Sequence, residues 1–237
     1  MAARHIVCHE SCGHRSILAP ARCGGATTAP VATKTGGTMT GMTTFPLHPP
    51  SPPPLRGDEP VQGTDATVLD FWRFALSDFK MNNVRGYLAE FLVARAIGAA
   101  GPRVEWDAYD VVAPDGTTIE VKASAYLQSW EQRTTSRIIF SGLKKRVWDT
   151  ATGMSEEPTY NAEIYVFAVQ TALTHEEYDL LSVSQWQFYV MSRPALQEIG
   201  YASIGLSTLR RHAGPAVTYS ELADTIQSAS VRVRPGN

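Results

Sequence analysis

From about residue 63 onward, apolar and polar positions recur with two periods, one helical and one of strand type. Val68, Leu69, Phe71, Trp72, Phe74 and Ala75 follow Thr64-Asp65 at helical spacing. They predict an amphipathic helix capped there and packed through its apolar stripe. A second helix is predicted over 82–98. It is apolar almost all round and so expected to be buried, with Asn82 or Asn83 capping its start and Gly98 its end. Two β-branched runs then flank Pro114-Asp115-Gly116, the pattern of a hairpin closed by a three-residue loop with glycine in the left-handed position. Arg137 to Ser141 reads as a third strand, and Leu143 to Trp148 as a short helix with a basic face. The continuous apolar run from Ala162 to Val169 predicts a central strand buried on both faces, and Trp186 to Met191 another strand. Ser192, ahead of Pro194, opens a short helix. Thr218-Tyr219-Ser220-Glu221 is a capping box for a helix through Leu222, Ala223 and Ile226, and Val231 to Arg234 reads as a loose tail. Helices and strands interleave in this order, which is the α/β class.

Residues 1–62 differ in kind. They are rich in Ala, Gly, Thr and Pro, end in Pro49-Pro50-Ser51-Pro52-Pro53-Pro54, and sustain neither period. A disordered tail is expected there, ahead of a single domain over 63–237. All three cysteines, Cys8, Cys12 and Cys23, lie in it. Together with His9 and His14 they are of the types that ligate zinc. The second pair matches no finger spacing, however, and the segment reads as a tail with incidental Cys and His. A disulfide framework for the domain is excluded, and a reducing compartment fits. Met39 and Met42 admit a later start of translation, which intact mass would decide.

The formal charge of -2 and a pI near 6.3 argue against a broadly basic nucleic-acid binder. An enzyme that meets DNA through a local basic rim and a metal remains compatible with them. No apolar run reaches the roughly 18 residues of a membrane span and no signal-type core opens the chain, so a cytoplasmic protein without membrane contact is expected.

The candidate chemistry lies in the hairpin. With the three-residue loop, Ala113 pairs with Thr117, and counting outward sets Asp110 opposite Glu120, with Lys122 on the same face. A two-residue turn would instead set Asp110 opposite Ile119 and break the shared face. Opposed carboxylates repel unless a cation lies between them, and a hard divalent ion takes one or two carboxylates plus waters and phosphates. Asp110, Glu120 and Lys122 therefore point to metal-assisted phosphodiester hydrolysis. Glu90, the only acid of its helix, needs a partner there: Arg85, a backbone amide, or the same metal site. Gln128 and Gln132, one helical turn apart, can reach a phosphate or a catalytic water. Tyr126 and Trp130 can stack on bases or pack internally. Phosphate-loop, dinucleotide and serine-elbow motifs are absent, and Lys122 between the acids argues against a glycosidase pair.

Helix with Glu90, strand with Asp110, strand with Glu120-Val121-Lys122, third strand, helix and buried strand: over residues 82–170 this order resembles the PD-(D/E)XK nuclease superfamily. The resemblance implies a restriction-endonuclease-like core, a mixed central β-sheet flanked by helices. It implies Mg²⁺ or Mn²⁺ held by Asp110 and Glu120, with Glu90 as the helix acid, and Lys122 positioning the attacking water. It also implies nucleic acid, DNA first, as partner, and homodimers in some members. Gln128 and Gln132 loosely resemble the glutamines found after the motif in some of them. Tyr109 stands where the motif's name has proline, and Asp107 competes with Asp110. A non-catalytic DNA- or protein-binding module of the same fold is the alternative.

Overall fold

The computed structural model describes residues 53–103, 108–149, 153–179 and 181–233. The greater part of the expected tail, with all its Cys and His residues, lies outside them, as do Asp107 and Arg234. The elements run α1 (Val68–Leu76), α2 (Asn82–Ala96), β1 (Val111–Val112), β2 (Thr118–Ala125), β3 (Ile139–Phe140), β4 (Trp148–Asp149), β5 (Gly153–Met154), β6 (Ile164–Gln170), β7 (Trp186–Ser192), α3 (Arg193–Ile199), β8 (Ile204–Gly205), α4 (Leu206–Ala213) and α5 (Tyr219–Val233). Among the described residues no helix is long and apolar enough to cross a membrane.

The central sheet has the order β1-β2-β6-β7 and is mixed: β1 and β7 run antiparallel to their neighbours, while β2 and β6 are parallel. The hairpin forms as its loop chemistry requires. Gly116 takes a φ of 84°, the Ala113 N–H donates to the Thr117 carbonyl at 2.9 Å, and Val111 pairs with Ile119 and Val112 with Thr118. Every residue of β6 is buried, as its unbroken apolar run predicts for a strand covered on both faces.

Side-chain alternation divides the core in two. On one face Ile119, Val121, Ile164, Val166, Ala168 and Phe188 pack against α2 and α5. On the other, Tyr165, Phe167, Val169, Tyr189 and Met191 pack against Leu196 of α3, Leu209 of α4 and the segment around Ile138, Phe140 and Leu143. The fold is thus α/β, a mixed sheet between helical layers.

Several expectations are corrected by the tertiary structure. The first helix is capped by Thr67 in a full capping box with Asp70, not by Thr64 or Asp65. Its stripe is at most half-buried: α1 has no fully buried residue, and Phe71 and Phe74 are 58% and 88% exposed. Periodicity reports an apolar face without reporting what covers it. Neither asparagine caps α2 from the N-cap position, which is Met81, because the Asn82 side chain is spent on Arg85 and that of Asn83 on the Val84 N–H. Gly98 does end it, left-handed at φ 69°, with the Ala99 N–H returning to the Ala94 carbonyl at 2.9 Å. Nor is α2 buried all round, since only Val84, Arg85, Ala89, Leu92 and Val93 are.

The predicted third strand shrinks to two residues and pairs with β8, outside the central sheet. Leu143 to Trp148 forms no helix. Leu143 is drawn into the core, its N–H bonded to Ala202, and Lys145 pairs through its backbone with Thr159 in both directions. The two long glutamines lie in an irregular loop, not on a helix. The supposed loose end, Val231 to Val233, is the last turn of α5.

Candidate active site

Strand β2 carries the centre of the site. Ile119 and Val121 face the α2/α5 core, so Glu120 and Lys122 project to the opposite face. Glu120 is buried, and its Oε1 accepts from the Lys122 Nζ and, at 2.5 Å, from the Lys145 Nζ. One carboxylate thus holds two ammonium groups in an interior position. The neighbouring Tyr165 on β6 donates its hydroxyl to the Leu143 carbonyl at 3.3 Å. Burial, with the charge of Glu120 adding to it, pushes that phenol up to about 12.

Asp110 precedes β1. The β1 ladder ends at Val111, so the outward N–H of Val121 has no strand carbonyl opposite it. The Asp110 carboxylate takes that place, accepting the bond at 2.7 Å, while its own N–H donates to Ile119. Burial raises the Asp110 carboxyl above its ordinary range, and the nearby Glu120 raises it further; the Val121 amide and the charges of Lys145 and Lys122 oppose both.

Glu90 projects from α2 and finds neither Arg85 nor a backbone amide. Its partner is Arg103, whose Nε lies 2.5 Å from Oε2 and whose guanidinium covers the Tyr87 ring at 4.6 Å. The Glu90 carboxyl is also raised, by burial first and then by Asp110 and Glu120, against the pull of Arg103. Glu90 thus feels the charge of Asp110 and Glu120, and Asp110 that of Glu120, which links acids from α2, from the segment before β1 and from β2. Glu90 and Asp110 also share the wall of a cavity of about 400 Å³.

Gln128 is engaged elsewhere. It is buried, donates through Nε2 to the Ala125 carbonyl at 3.1 Å, and accepts from Arg85 at 3.3 Å; Arg85 itself also holds the Lys80 carbonyl. Gln132 accepts from the Gln128 N–H and donates to Tyr126 and Ser136, so both amides tie down the 126–136 loop. Lys145 and Arg103 are the members of the site that the sequence pattern did not disclose. The only sign of Lys145 was its place in the basic run Lys144-Lys145-Arg146, which suits a solvated face equally well.

Among the described residues no three His, Cys, Asp or Glu side chains converge closely enough as placed to hold a metal ion. The reason lies in the partners just described, since Glu90 turns to Arg103, Glu120 to its lysines and Asp110 to a peptide N–H. The chain matches no protein-family model and no curated protein.

The raised acids have a measurable consequence. An acid whose value is raised on folding binds its proton more tightly in the folded state, so its stabilisation is present at low pH and is lost as pH climbs through the raised value. In the absence of metal, Asp110→Asn, which keeps an oxygen for the Val121 N–H, is expected to raise the melting temperature at neutral pH by on the order of 2–4 °C and to leave it unchanged near about pH 3. Calorimetry across that range checks it. A difference that is independent of pH would break the argument.

Proposed function

We propose that the protein is a metal-dependent nuclease that hydrolyses phosphodiester bonds, with DNA as its substrate. The observation that carries this reading is the hairpin register, which brings the Asp110 and Glu120 carboxylates and the Lys122 ammonium into one partly buried group. Asp110 and Glu120 suit a hard divalent cation such as Mg²⁺ or Mn²⁺. They are oxygen donors, they repel one another where they stand, and two carboxylates with water and substrate oxygens make up such an ion's usual shell. Glu90 adds a third donor from the helix side.

A divalent cation held there supplies Lewis acidity toward phosphoryl oxygens and acidifies water. Lys122 orients the attacking water and offsets negative charge as it develops, an electrostatic task suited to an ammonium already anchored on Glu120. Arg103 holds Glu90 in place, and Lys145 balances Glu120 until a phosphate draws it away. The PD-(D/E)XK resemblance is supported by the acid-bearing helix, the hairpin and the parallel β2–β6 pair. The short β3 outside the main sheet and the lack of a helix between it and β6 among the described residues depart from it. A cytoplasmic enzyme that pairs with a second copy to cut both strands fits this reading.

The double lysine clasp on Glu120 also favours a second reading, a DNA-binding module of similar fold whose acids are permanently balanced by protein cations. Purified protein incubated with plasmid, linear duplex and single-stranded DNA separates the two. Cutting in Mg²⁺ or Mn²⁺ that EDTA stops supports the nuclease, and binding without cutting in any metal supports the module.

Lys145 gives a finer test. Its ammonium competes with a divalent ion for Glu120, so Lys145→Met is expected to tighten Mn²⁺ binding by about tenfold, the worth of roughly 1.4 kcal/mol. Titration calorimetry measures this without reference to cleavage, and weaker Mn²⁺ binding would refute the competition.

A further inference from the structure

The core face of α2 accounts for Val84, Ala89, Leu92 and Val93, yet the helix carries a second apolar stripe. Tyr87, Phe91 and Ala94 follow at i, i+4 and i+7, with Glu90 among them, and all four line the 400 Å³ cavity. Its other wall includes Tyr109 and Asp110. Phe91 is 57% exposed and Tyr87 37%. A stripe turned away from the core is ordinarily polar, so an aromatic one beside two partly buried acids calls for an occupant.

The lining restricts what that occupant is. Glu90, Asp110 and Arg103 all line the space, and the charge of Arg103 is taken up by Glu90, so the lining carries a net negative charge that disfavours a phosphate. A purely hydrocarbon guest would offer no donor to the second Asp110 oxygen, the Val121 N–H taking only Oδ2, nor to the Glu90 lone pairs beyond those that Arg103 fills. A flat, neutral group with N–H donors on its edge satisfies rings and acids together. The volume falls within the range of about 300–1,000 Å³ typical of small-molecule sites.

We propose that the cavity receives one nucleobase of a DNA strand, stacked on Phe91 with its N–H edge toward Glu90 and Asp110. This deepens the nuclease reading and rests on it for the identity of the polymer. Arg103 covers Tyr87, which makes the more exposed Phe91 the stacking ring. Asp110 lines the cavity and also belongs to the acid group, so a base seated here puts its neighbouring phosphate beside that group. A base inside a duplex cannot enter, and the favoured substrate therefore has a base out of the stack: a single strand, a frayed end or a mismatch.

The experiment uses the full chain in EDTA and a short fluorescein-labelled single-stranded oligonucleotide, read by anisotropy. Phe91→Ala is expected to weaken binding about tenfold, as loss of one base–aromatic stack does. A set of oligonucleotides with one abasic site moved along the strand is expected to show one position where the native chain loses affinity and Phe91→Ala loses none further. A flat abasic scan, equal losses in both proteins, or no measurable binding of any oligonucleotide overturns the proposal. Cutting in Mg²⁺ with a flat scan means that the pocket assignment fails while the nuclease stands. A base-dependent scan without cutting in any metal means the reverse.

Discussion

Lys122→Ala is expected to lower the rate of metal-dependent DNA cleavage by at least about 100-fold while leaving the fold intact, the loss typical of removing one charge-stabilising donor from an active site. The ammonium of Lys122 is anchored on Glu120, and 19% of its side chain remains open to solvent, so it is held in place and reachable by a substrate. Folding should survive because Glu120 keeps a second cation, Lys145, and is not left as a buried bare charge. Single-turnover cleavage of a labelled substrate, alongside circular dichroism and a thermal melt, separates the two effects. Full activity in the variant would remove Lys122 from the chemistry and with it the central assignment.

The largest effect on stability is expected at Phe167. It is fully buried in β6, stands beside Lys122 in the β2–β6 register, and meets Phe140 edge to face with ring centroids 5.1 Å apart. Phe167→Ala removes a ring from a strand buried along its whole length, where the surroundings can relax only in part. A loss of about 3–5 kcal/mol is expected, read as a lower urea midpoint with an unchanged slope. A loss below about 1 kcal/mol would mean that the two layers collapse onto the sheet more readily than such packing allows.

The parts of the structure legible in the sequence are those specified locally. Pro114-Asp115-Gly116 fixes a loop length, a loop length fixes a register, and the register puts Asp110 next in line with Glu120. The caps at Ser192 and Thr218 are local in the same way: the Ser192 hydroxyl accepts from the Ala195 N–H, and the Glu221 carboxylate from the Thr218 N–H. The unbroken apolar run of β6 likewise states its own burial.

What the sequence hid depends on distant pairing. Arg103 reaches Glu90, and Lys145 reaches Glu120, through loops whose paths no periodicity encodes. The second apolar face of α2 reads as burial because a pocket wall and a core wall call for the same side chains. Leu143-Lys144-Lys145 has the composition of a helical turn, yet Leu143 is claimed by the core and Lys145 by a bridge to Thr159. Gln128 has the length to reach a phosphate or a water, and a long amide serves equally well to satisfy a buried arginine.

The parallel pairing of β2 with β6 also bears on how the molecule assembles. Ile119 lies beside Ile164, and a parallel neighbour cannot be reached by a turn, so a long stretch of chain must close before the central strand is in place. The β1–β2 hairpin needs no such closure and forms on the scale of microseconds. It carries Asp110 and Glu120 together while Lys145, far along the chain, has yet to arrive. In the hairpin the two acids therefore have only Lys122 beside them, and one of their two charges stays unbalanced until the crossover brings Lys145.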